Sequence, residues 1–135
     1  MPETDPDLRQ MLGAAVNAFE AIRHSARHYE EHTPDLFAAF ISAATAAANG
    51  RDAILTASIF PAEAQPPPGF TQPAPDANPD QAADSIAASA AILADWLDQA
   101  AGVAAIPHDQ DACRDAAAAA RQIQQLMAAD DTRTR

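Results

Sequence analysis

Residues 8–29 read LRQMLGAAVNAFEAIRHSARHY, and this stretch decides the fold class. Leu8, Leu12, Ala15, Phe19, Ile22, Ala26 and Tyr29 recur at spacings of four and three, which places them on one face of a helix. A half-buried strand would instead alternate apolar and polar residues with a period of two. Just upstream, Thr4, Asp5 and Pro6 form a helix start. Proline in the first turn lacks an N–H that would have no partner there, and the acid faces the positive end of the helix dipole. The pattern predicts a helix over about 5–32.

Working outward, Thr33-Pro34-Asp35 supplies an N-cap followed by proline at the first helical position. A second helix over about 34–58 should therefore turn back antiparallel on the first. Its seam is Leu36, Phe40, Ala43, Ala47, Gly50, Ile54 and Ala57, with Phe37 and Ile41 widening the stripe. Asn49-Gly50 is a stop signal, but the seam keeps phase across it. The helix is expected to run through, with Gly50 allowing a close helix approach.

Seven of the eleven prolines then fall between residues 59 and 79, including Pro66-Pro67-Pro68, so the connection over 59–78 cannot be helical. A loop of that length is either disordered or packed across the bundle through Phe60 and Phe70, and its short polyproline run suits a linker or a docking motif. Asn78-Pro79-Asp80-Gln81 restarts helix with a reciprocal cap. The third helix, about 79–105, carries Ala83, Ile86, Ala90, Leu93, Leu97, Ala100 and Ala104, with Ile92 and Trp96 alongside, until Pro107 stops it. The fourth, about 108–129, shows Ala112, Ala116, Ala119, Ile123 and Leu126, and the tail 130–135 should fray. The expected fold is all-α and a single domain: two antiparallel helical hairpins forming a four-helix bundle, with a long proline-rich connection and the hairpin order left open.

Composition narrows the functions. The formal net charge is -11, and every basic residue is an arginine, because the chain has no lysine. That balance repels phosphate backbones and anionic lipid surfaces, so direct nucleic-acid and membrane binding are not expected. The arginine, alanine and proline bias suggests a GC-rich bacterial gene. Charges interrupt every apolar run before it reaches spanning length. One cysteine, no signal-peptide pattern and no spanning segment together predict a soluble cytoplasmic protein.

No arrangement of residues forms a catalytic or cofactor signature. The four glycines build no phosphate-cradling loop, the absence of lysine removes P-loop and Schiff-base chemistry, and no serine sits in a Gly-x-Ser-x-Gly elbow. His24, His28 and His32, with Glu20 and Glu31 nearby, have the i,i+4 spacing of a transition-metal chelate. They point away from the apolar seam, however, and Arg23 and Arg27 disfavour a cation. A solvated face with Glu20–His24 and Arg27–Glu31 pairs is the expected arrangement. Cys113 is read as a structural cysteine, since neighbouring acids oppose a thiolate.

The expectation is thus no enzyme and no cofactor, but a protein-interaction or structural module working through helix packing, with a protein partner or self-association. The expected surface is helix four, through Ala112, Ala116, Ala119, Ala120, Ile123 and Leu126, together with Trp96. The alternatives are an acidic decoy or inhibitor of a nucleic-acid-binding protein, or a weak metal or redox site on helix one.

Overall fold

The computed structural model describes residues 4–30, 37–74 and 76–128. Four helices span Thr4–Glu30 (α1), Phe37–Leu55 (α2), Pro79–Val103 (α3) and Pro107–Ala128 (α4), and they pack as a four-helix bundle. The apolar periods explain why. Leu8, Leu12, Ala15, Phe19, Ile22, Ala26 and Tyr29 are all buried, as are all seven seam residues of α3 from Ala83 to Ala104. On α2, Phe40, Ala43, Ala47 and Ile54 are buried and the helix passes unbroken through Asn49-Gly50. Ile41 stays partly exposed and does not widen the stripe. The expected cap of α2 at 33–35, the end of α1 at His32 and the tail 130–135 lie outside the described residues.

Boundaries shift where loop chemistry intervenes. α2 ends at Leu55 rather than 58, because the amides of Thr56 and Ala57 turn back to Ala53 and Ile54 and tighten the last turn. Pro107 is the first residue of α4 rather than only the stop for α3, since proline's fixed φ suits a first turn. α3 opens with the expected capping box: Asn78 accepts from the Gln81 amide at 2.9 Å, and the Gln81 side chain accepts from the Asn78 amide at 3.2 Å. On α4 the buried apolar face is Ala112, Cys113, Ala116, Ala117, Ala120, Ile123 and Met127: Ala112, Ala116 and Ile123 lie inside as expected, while Ala120 and Met127 are buried where Ala119 and Leu126, half-buried, were expected.

Around the bundle α1 neighbours α2 and α3, and α4 neighbours α2 and α3, so α2 and α3 stand diagonally. Asp109 at the start of α4 bonds Ser58, three residues past α2, and Tyr29 at the end of α1 bonds the Ala77 carbonyl, two residues before α3. α2 therefore finishes at one end of the bundle while α3 begins at the other, and residues 56–78 must run its length. They do so as a strap along α1. The Ala62 amide donates to the Arg9 carbonyl (3.0 Å), the Asn17 side-chain amide donates to the Ala64 carbonyl (2.9 Å), and the Tyr29 hydroxyl donates to the Ala74 carbonyl (3.0 Å).

Arg9 to Tyr29 is about 30 Å of helix, shorter than the extended reach of the strap. The slack is taken up partly in a turn at Pro67-Pro68-Gly69-Phe70, closed by a 3.0 Å bond from the Phe70 amide to the Pro67 carbonyl. Proline second and glycine third, with Gly69 at φ 87, is the type II pattern. Pro67 is buried and Phe70 packs on the core beside α3. Ser89 of α3 then holds Thr71 at both backbone groups, its Oγ donating to the carbonyl (2.7 Å) and accepting from the amide (3.1 Å). Trp96 ties α3 directly to α1, its indole N–H donating to the Met11 carbonyl at 2.8 Å.

The strap lies close because Gly13 has no side chain: a Cβ there would stand 1.6 Å from the Ala62 carbonyl oxygen. Gly102, by contrast, has open space around it. Gly13→Ala should therefore destabilise the protein by about 1–3 kcal/mol through overpacking. Gly102→Ala should stabilise it by about 0.5–1 kcal/mol through helix propensity. Urea denaturation of the two variants checks both signs, and a neutral Gly13→Ala would show that the strap is not held against α1.

Candidate interaction surface

The residues that the sequence singles out separate into interior and exterior positions. Ala112, Ala116, Ala120 and Ile123 are buried among the other helices of the same chain, and Ala119 and Leu126 are half-buried beside them. Trp96 is half-buried and committed to Met11. The helix-four face thus fills the protein's own core, and its small side chains let α3 and α2 approach it closely.

His24 and His28 are exposed on α1, and His32 lies outside the described residues. Glu20 pairs both across to α2, with Arg51 at 3.1 Å, and within α1, with Arg23 at 3.7 Å. The His28 ring instead lies edge-on to Tyr29, with centroids 5.0 Å apart. Among the described residues, no group of three or more His, Cys, Asp or Glu side chains stands where it could hold a metal ion.

Cys113 is fully buried, and burial, with Asp109 nearby, pushes its thiol up to about 11. Thiolate is the reacting form, so the folded protein should resist a thiol-specific disulfide reagent at pH 8 and react only as it unfolds. Labelling at rising urea should follow the unfolding curve, and prompt labelling without denaturant would contradict this burial.

The end of the bundle where α2 finishes and α4 begins has a different character. Asp109, 1% exposed in the first turn of α4, accepts from both the amide and the hydroxyl of Ser58, each at 2.7 Å. The neighbouring His108 Nε2–H donates to the Thr56 carbonyl at 2.7 Å, since a carbonyl can only accept. Two residues on, the Arg9 Nε–H donates to the Phe60 carbonyl (3.2 Å) and the Ala62 amide to the Arg9 carbonyl (3.0 Å). The backbone is thereby pinned on both sides of Phe60.

The Phe60 ring nevertheless faces solvent, 83% exposed, with Leu55 at 52% on one side. Both line an open cleft against α1, with Val16, Pro61 and Ala62. Ile106, 48% exposed, precedes α4 at the same end of the bundle. The sequence leaves this connection either disordered or packed across the bundle through both Phe60 and Phe70. Phe70 packs on the core as expected, but Phe60 does not, because the bonds at Ser58 and Arg9 fix the strap with residue 60 turned outward. Deleting the Asp109 carboxylate in Asp109→Ala removes two charge-assisted bonds and should lower stability by about 2 kcal/mol in urea titration.

Comparison with protein-family models, with curated proteins and with solved structures returned no significant match. Among the described residues, no helix is long and apolar enough to cross a membrane.

Proposed function

We propose that this protein is a non-catalytic interaction module that binds another polypeptide through the apolar surface around Leu55 and Phe60 at one end of the bundle. The observation that carries this reading is Phe60 itself, a large aromatic side chain in solvent on a backbone held by bonds on both sides. Singly exposed apolar residues are ordinary. An aromatic ring clustered with Leu55 on one cleft, on a backbone already held in place, resembles the anchors that dominate binding energy, because little backbone ordering entropy remains to be lost on association. Burying the ring would recover about 1.5–3 kcal/mol of hydrophobic free energy. A single buried thiol is compatible with a reducing compartment, and we assign the module to the cytoplasm.

The test is photo-cross-linking in the protein's own host. A photoreactive benzoylphenylalanine replaces Phe60 in one variant and the exposed Ala88 of α3 in a control. A discrete protein adduct from position 60, missing from position 88, is the expected result; no adduct from position 60 would sink the interaction reading.

A further inference from the structure

Resting on that reading, we infer that the polypeptide bound at this surface is a second copy of the same chain, joined by reciprocal insertion of Phe60. The surface carries both halves of such a contact. Phe60 is the projection, and the cleft of about 780 Å³ beside it, between α1 and the start of the strap, is a recess large enough for an aromatic ring. A two-fold axis between two copies sends each ring into the other's recess, the self-complementarity that a symmetric dimer requires.

The charges beside the ring select the same occupant. Arg9 is bonded to the Phe60 carbonyl, and Glu63 follows Ala62, whose amide is bonded to Arg9. Both side chains are exposed. Among the described residues, neither has an ion-pair partner within its own chain. A basic partner would meet Arg9 and an acidic one would meet Glu63. A second copy brings Arg9 of one protomer to Glu63 of the other, and does so twice. The -11 charge of each chain opposes approach at long range. At physiological ionic strength that field decays over about 8 Å, leaving the local pairs and the buried rings to decide the contact.

The experiment is solution mass by light scattering on the full chain, across a concentration series from micromolar to millimolar. The wild type should rise from the 14.1 kDa monomer toward twice that mass. Phe60→Ala should weaken the dimer by ~30-fold, the loss expected for a central anchor. Glu63→Arg should stay monomeric while keeping the wild-type circular dichroism spectrum, because it leaves the Arg9 bond to the Phe60 carbonyl in place and sets Arg9 of each copy against an arginine of the other. A wild type that is monomeric throughout overturns the proposal, as does a dimer indifferent to Phe60→Ala or to Glu63→Arg. If the wild type is monomeric while position 60 cross-links to a different protein, the self-association fails and the interaction reading stands. If both experiments are negative, both fall.

Discussion

α2 ends at one end of the bundle and α3 starts diagonally across at the other, and much of the rest of the structure follows from that separation. The connection has to travel the length of α1 outside any regular element, so its peptide groups need partners other than their own neighbours. Proline reduces the problem by removing donors, and side chains on the flanking helices supply further partners: Arg9, Asn17 and Tyr29 from α1, and Ser89 from α3. Ser89 is buried and uses its hydroxyl as both donor and acceptor, so one small residue replaces a pair of backbone bonds.

The strap also fills space that helices alone would leave open. More than half of the buried apolar residues are alanine, and alanine-lined helices pack well only at short separations. α4 meets that condition against α2 and α3, and Gly50 meets it between α1 and α2, where a Cβ would fall 2.4 Å from the Phe19 ring. Of the neighbouring helix pairs, α1 and α3 touch least, and between them lie Phe70, Pro67 and the Ser89 latch. Pro67 thus serves as core material as well as connection, and Gly13 is a position at which helix and strap come very close.

Where the strap begins, structural bonds produce an exposed surface. The Asp109–Ser58 clasp satisfies a nearly buried carboxylate and joins α2 to α4, and the Arg9 bonds align the next segment on α1. Between these fixed points the direction of residue 60 is set by backbone geometry rather than by hydrophobicity. Polar bonds holding an apolar ring in water are an energetic conflict within the monomer, and such conflicts are where function is sought in an otherwise consistent sequence.

The sequence by itself determined the helices and the inner faces of α1 and α3, because Leu, Ile and Phe on a 3.6-residue period stand out sharply from their polar neighbours. It also determined the α3 cap, a matter of side chains three residues apart, and the passage of α2 through Asn49-Gly50. It left the phase of α4 uncertain by about one residue, since the run Ala116–Ala120 offers the same side chain on every face and no contrast to read. The candidate surface was legible only to the extent that Phe60 could be named as a large side chain in a proline-rich segment. The contacts that turn it outward join residues about fifty apart, from Arg9 to Phe60 and from Ser58 to Asp109. The Trp96–Met11 bond spans eighty-five. Local periodicity carries no record of such pairings. They exist only once the crossing connection has set the helix order, so the tertiary structure decided which aromatic entered the core and which remained outside.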